Sequence, residues 1–451
     1  MRKFLLTLAV AVLAVGLVLP EVFAASFKFT GMYRYRGVSY DDADRDNTTE
    51  DGNQKADMLM RPRFTAVSEG GKVKAVWELD LGSGSWDAAK TAPKVNRHYV
   101  QFALPGTKLK VQYGRDDYFS PGKTLVTSSG LNRTQGWEVT GKMAGMKMTA
   151  WTVKVAEGGA GGSGGPFGGK NDADVHHIGI TTKAAGLTLT PHLTIEADGR
   201  GSGTATPDKD IRWWGLNAKG KVGMFSLKVD AIYQEGTIDY PSSSATVKDI
   251  DIKASMLQVS ATTKVGKSKV ELRAFATSGD KDGLAASQSH GLTAQQDGNN
   301  ELTRFSGPKA DAMMWTNNPQ IISRKRYSTF NISAGNETRS GNGNGGTKGN
   351  GLRVMEIIVS HPISKKLSFK GNLSSIHSSE SAQDISGGTQ YVSDTNIGTE
   401  VDASLKYKFY KSLWAQVTYA YLSVGDYGKS TAATKDFDNT WCWYFEIRHS
   451  F

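Results

Sequence analysis

Trp441-Cys442-Trp443-Tyr444-Phe445-Glu446-Ile447-Arg448-His449-Ser450-Phe451 is the stretch whose reading decides the fold. Trp441, Trp443, Phe445, Ile447, His449 and Phe451 share one parity; Cys442, Tyr444, Glu446, Arg448 and Ser450 share the other. Successive side chains of a strand point to opposite faces, so this is a strand with one aromatic and one polar face. The same period of two recurs upstream. Phe27, Phe29, Tyr33 and Tyr35 oppose Lys28, Thr30, Arg34 and Arg36, and Val73, Ala75, Trp77 and Leu79 oppose Lys72, Lys74, Glu78 and Asp80. Phe225, Leu227, Val229 and Tyr233 oppose Ser226, Lys228, Asp230 and Gln234, while Val401, Ala403, Leu405 and Tyr407 oppose Asp402, Ser404, Lys406 and Lys408.

A soluble sandwich also alternates, so the connections have to separate the two cases. Short ones (Glu69-Gly70-Gly71, Pro105-Gly106-Thr107, Ala144-Gly145, Gly266-Lys267) take turns with long polar stretches such as Asp41–Lys55, Gly82–Lys94, Gly114–Gln135 and Gly158–Asp172. Short turns at one end and long loops at the other are the pattern of outer-membrane barrels, whereas long structureless loops are unusual in a compact soluble domain. The pattern predicts an all-β fold over residues 25–451: a closed antiparallel transmembrane β-barrel with short periplasmic turns and long external loops. One parse gives about 18 strands; merging weak ones gives 16, and adding two, Arg326–Ala334 among them, gives 20, all even as single-chain barrels require. The longest external loop falls at about 279–350.

Composition narrows the class in the same direction. A mean hydropathy of -0.39 excludes a helical membrane bundle, which needs repeated long apolar runs. Ten per cent aromatics argue against disorder, and a single Cys excludes a disulfide framework or a Cys-based metal centre. Residues 1–24 read as a secretory signal peptide: Arg2 and Lys3, an apolar run from Phe4 to Leu19, a helix-breaking Pro20, and a cut after Val22-Phe23-Ala24.

A signal peptide, repeated amphipathic strands and a final strand ending in Phe together resemble a Gram-negative outer-membrane porin. Within Arg61–Gly114, the run Val73-Lys74-Ala75-Val76-Trp77-Glu78-Leu79-Asp80-Leu81-Gly82 and the run Tyr99-Val100-Gln101-Phe102-Ala103-Leu104-Pro105-Gly106 are similar to trimeric porins of sulfate-reducing and related bacteria. The resemblance implies residence in the outer membrane, contact with membrane lipid and lipopolysaccharide, and a homotrimer. It also implies that Phe451 is the assembly signal read by the barrel-assembly machinery.

Chemistry in a barrel belongs to its inward faces. There, bases outnumber acids, in keeping with the overall charge of +10. Arg34, Arg36, Arg61 and Arg63 occupy the interiors of neighbouring strands and form a ladder, with Lys74 nearby on the next strand. Like charges so close need counter-charges or water, which favours an aqueous lumen over a packed core. The alternative reading pairs these arginines with the acids of a nearby loop. By the porin resemblance, the third long loop, about 114–135, folds into the barrel as a constriction. It would set Asp116 and Asp117 against the arginine wall, since opposed charges select ions in pores. The alternative is a loop that caps the outside.

Enzymatic motifs are lacking. The chain has no His-Glu-x-x-His and no Cys nucleophile with a partner, and its one Gly-x-Ser-x-Gly match, Gly161–Gly165, lies within a glycine-rich loop stretch. Gly158–Gly169 lacks the Lys-Ser/Thr of a phosphate loop, and His176 and His177 point to opposite faces of a strand. No catalytic residue, metal, cofactor or nucleic-acid partner is expected. The expected function is passive diffusion of small hydrophilic solutes with a mild anion preference. Two alternatives stand beside it: a channel or exporter for an acidic polysaccharide or other polyanion, and a sleeve for a periplasmic electron-transfer or secretion partner.

Overall fold

The alternating segments become strands, and the short connections become hairpins. A computed structural model describes residues 26–41, 53–85, 93–123, 125, 134–156, 173–199, 208–239, 249–279, 301–303, 305, 307, 351–380, 394–427 and 439–451. The expected signal peptide, Arg326–Ala334, most of the 279–350 connection and part of the 114–135 loop lie outside the described residues. In chain order the first strands are β1 (Ser26–Tyr40), β2 (Asn53–Val67), β3 (Val73–Ser85), β4 (Lys94–Ala103), β5 (Lys108–Asp116) and β6 (Thr134–Met143). Then come β7 (Met146–Ala156), β8 (Ala173–Ala184), β9 (Leu187–Asp198), β10 (Asp208–Val222), β11 (Phe225–Asp239), β12 (Ile250–Val265) and β13 (Ser268–Thr277). The last are β14 (Glu301–Leu302), β15 (Arg353–Pro362), β16 (Leu367–His377), β17 (Asn396–Lys408), β18 (Leu413–Val424) and β19 (Thr440–Ser450).

β14 is a two-residue piece lying parallel to β12 at the edge of the long connection. The other strands form a closed antiparallel barrel of 18, so the principal parse of the sequence holds. Two of the tight hairpins show how sequence sets geometry. Ala144-Gly145 and Ala185-Gly186 have positive φ throughout (50°, 81°, 50° and 75°), the mirror-image turn whose twist matches that of the strands it joins.

Closure lies between β1 and β19, with Met32 opposite Ser450, Arg36 opposite Glu446 and Tyr40 opposite Cys442. Phe451 extends this ladder. Gly31 N donates to Phe451 O at 2.7 Å, and Phe451 N donates to Gly31 O at 3.1 Å. Gly31 is required there, because a Cβ would stand 2.5 Å from the Phe451 ring. That ring starts an aromatic row across the seam on the outer face. Phe451 lies 5.5 Å from Phe29, Phe29 lies 5.2 Å from Phe64, and Phe64 lies 6.1 Å from Trp77.

The inner face is not uniformly polar. Towards the long connections it carries a buried apolar tier, with Val153, Val175, Ile211 and Trp213 all at 6 % exposure or less. Below that tier come ion pairs, and nearest the short turns come lysines. Deleting Phe451, or replacing Gly31 by Val, removes the last ladder bonds or expels the ring. Either change should sharply lower the yield of folded barrel, read as the fraction that keeps its compact gel mobility before heating. Wild-type yield in both variants would show that the seam does not need this contact.

Candidate functional site

Register builds the charged wall. β1 pairs with β2 so that Arg36 stands opposite Asp57 and Arg34 opposite Leu59. This places Arg34, Arg36, Arg61 and Arg63 together on the inner face, as their parity predicts. Carboxylates of adjacent strands separate the four guanidinium groups. Arg36 forks onto Asp57, with Nε donating to Oδ1 at 3.0 Å, and Arg34 approaches the same carboxylate at 3.5 Å. Arg61 forks onto Asp80 at 2.5 and 3.0 Å, and Arg63 Nε donates to Glu78 at 2.5 Å. Paired N–H donors of this kind match a carboxylate's two oxygens and give the stronger class of hydrogen bond.

Glu78 is the hub. Its side chain is 2 % exposed, and besides Arg63 it has Arg61 at 3.8 Å and Arg97 at 3.6 Å. It also accepts a hydrogen bond from Asn96. Asn96 and Arg97 both serve Glu78 because of a bulge: Glu78 pairs with Arg97 and Leu79 with Val95, leaving Asn96 as the extra residue. A period-two reading cannot see this, so Arg97 is the functional candidate that the sequence analysis missed.

Arg97 also corrects the expected placement of Asp116 and Asp117. These two do not form the opposing half of the arginine wall. Arg97 Nε approaches Asp116 at 3.4 Å, and an Nη of the same residue binds Asp117. Gln112 Nε2 donates to Asp116 at 3.0 Å. The partners of the four arginines come from the strands themselves (Asp57, Glu78 and Asp80), because antiparallel register sets those acids beside them. Lys74 sits nearer the short turns, where its Nζ donates to the Tyr99 hydroxyl at 3.1 Å.

Beyond Asp117 the chain turns against the inner wall. Tyr118 is 1 % exposed, its ring is 5.8 Å from that of Trp151, and its hydroxyl donates to Gly114 O at 2.8 Å. Burial, and then the charge of Asp116, pushes the Tyr118 phenol well above its usual range, so it remains a neutral donor. Trp151 Nε1 donates to Phe119 O at 3.2 Å. Pro121 lies against Gly179, where an added Cβ would meet its ring at 3.6 Å. Trp151 and Gly179 are inward residues of β7 and β8, so the described part of the 114–135 loop packs inside the barrel.

Replacing Glu78 by Gln leaves Arg61, Arg63 and Arg97 around a neutral amide. Breaking a buried ion pair from one side costs about 3 kcal/mol. The variant should therefore unfold at clearly lower denaturant than wild type, in a titration followed by tryptophan fluorescence, while Lys74→Gln stays near wild type. Equal stability of the Glu78 variant would remove its role as hub.

No protein-family model matches the sequence, and no curated protein matches it. Among solved structures, the chain is similar to Pseudomonas aeruginosa OccK8 (OprE), with 12 % identity, a TM-score of 0.54, and coverage of 94 % of this chain and 98 % of that one. It is also similar to P. aeruginosa OpdQ, with 11 % identity, a TM-score of 0.56, and 95 % and 97 % covered. A third is P. aeruginosa OccK2 (OpdF) in complex with glucuronate, with 11 % identity, a TM-score of 0.53, and 94 % and 98 % covered. At these identities the likeness is one of fold, and it extends over nearly the whole length of each chain.

Proposed function

We propose that this chain is a Gram-negative outer-membrane porin, a passive channel for small hydrophilic solutes with a mild anion preference. The observation that carries the reading is a closed barrel whose outer face is apolar and aromatic while its inner face holds a lattice of arginine and carboxylate. Ionised groups are too costly to bury in a dry core in such numbers, and a water-filled lumen removes most of that cost. Barrels of the same fold, OccK8 and OpdQ among them, are outer-membrane porins, which supports the same location and a non-enzymatic role. The inward packing of Tyr118 and Pro121 supports a constriction formed by the 114–135 loop. It also favours a passive channel over a sleeve, because the loop occupies space that a plugging partner would need. In this reading Arg34, Arg36, Arg61, Arg63, Lys74, Asp116 and Asp117 line the path, and the protein assembles as a homotrimer.

Two measurements test it in planar bilayers. Replacing Arg61 and Arg63 by Gln uncovers Glu78 and Asp80, so the reversal potential in a salt gradient should move towards cation preference. Asp116→Asn with Asp117→Asn uncovers Arg97 and should move it the other way. Reversal potentials unchanged in both would show that these residues do not line the narrow part. Separately, Tyr118→Ala removes the aromatic anchor of the loop and should raise single-channel conductance. An unchanged conductance would detach the loop from the constriction.

A further inference from the structure

The lysines nearest the short turns form a pattern that the arginine lattice does not explain. Lys108 stands directly opposite Lys142, and Lys142 directly opposite Lys147, across three consecutive strands. Lys219 faces Lys228 in the same manner, and Lys264 faces Lys269. By parity all of these point inward, and all are exposed. Like charges directly opposed in a ladder are destabilising, so four such pairs in one band call for a compensating charge. Protein carboxylates supply only part of it: Glu271 meets Lys269 at 3.3 Å, and Glu138 acts on Lys147. Among the two inward strand positions nearest each short turn, Glu271 is the sole acid among the described residues. The inner wall's other acids stand further along, and several are buried, with Glu78 and Glu356 at 2 % exposure and Glu400 at 0 %.

We propose that the short-turn end of the lumen is a binding vestibule for small multivalent anions, entered from the periplasmic side. The inference rests on the porin reading above. Directly opposed residues have Cβ atoms about 5 Å apart, so the flexible ammonium groups of a pair reach two charged ends of one small anion. A monovalent anion neutralises one lysine at a time and gains no such bridge. A cavity of about 380 Å³ opens at the same end, bordered by Lys269, Lys370 and Lys406 with Ser404 and Gln416, and it offers both charge and neutral hydrogen-bond partners. At the opposite end no lysine stands directly opposite another lysine among the described residues, so the vestibule faces one side of the membrane only.

Single-channel recording with the full chain tests this, using inorganic pyrophosphate as the probe and chloride as the current carrier. An Ala185→Cys variant, biotinylated at the β8–β9 turn, reports the orientation of each inserted barrel by the side on which streptavidin binds. Pyrophosphate added on the short-turn side should reduce the chloride current at about tenfold lower concentration than on the other side, and acetate should show no such difference. The double variants Lys142→Gln/Lys147→Gln and Lys264→Gln/Lys269→Gln should each reduce that ratio. Equal potency from both sides, or a ratio that survives both variants, overturns the vestibule while leaving the porin. A barrel that folds but passes no current in any electrolyte overturns the porin reading and the vestibule with it.

Discussion

A sheet has two open edges unless it closes, and the ladder between β1 and β19 removes both. In hydrocarbon, an unpaired backbone group costs several kcal/mol, so this ladder is the condition for the barrel to exist there. It is also the reference for every other side chain. Because the side-chain period is two, a slip of one residue at the seam would carry Arg34 and Arg36 to the face that holds Phe27 and Phe29. The direct pairing of Gly31 with Phe451, with the ring lying where a Cβ would otherwise stand, opposes such a slip.

Once parity is fixed, electrostatics has to make the inner wall tolerable. Arg34, Arg36, Arg61 and Arg63 would repel one another if their neighbours were neutral. Register supplies Asp57 beside the first two, and Asp80 and Glu78 beside the others. Arg97 then ties Glu78 to Asp116 and Asp117, so the lattice reaches from β1 to the start of the inserted loop. Register and charge pairing are therefore linked: the lattice forms only where β1, β2, β3 and β4 pair as they do.

Much of this was legible in the sequence, and the gaps have physical causes. Alternation gave the strands because it reports one bit per residue, inside or outside, over many residues. It placed the four arginines on one wall for the same reason. It could not supply their partners, since those depend on which residues of different strands meet, and register is not written in parity. The bulge opposite Glu78 adds one residue to β4 and hides Arg97 from any period-two count. The apolar inner tier was missed because inward Val153, Val175 and Trp213 look like ordinary breaks in alternation until the barrel closes around them.

The two kinds of charge on the inner wall differ in how far they act. An arginine locked to a carboxylate is a dipole, and its field falls off faster with distance than that of a single charge. The field of an exposed lysine that is not locked to a carboxylate extends in water about a Debye length, ~10 Å at 0.1 M salt. The lattice around Glu78 contains most of the inner wall's arginines yet projects little potential into the lumen. The lysine band near the short turns projects far more from groups that sequence reading alone would place at the mouth. In the proposed porin, the sign of charge that a solute senses would be set by the band, while the lattice lines the wall beside the inserted loop. That division is why a strongly basic composition is compatible with the proposed mild anion preference: much of the positive charge is spent on neighbouring carboxylates, and the remainder acts through water.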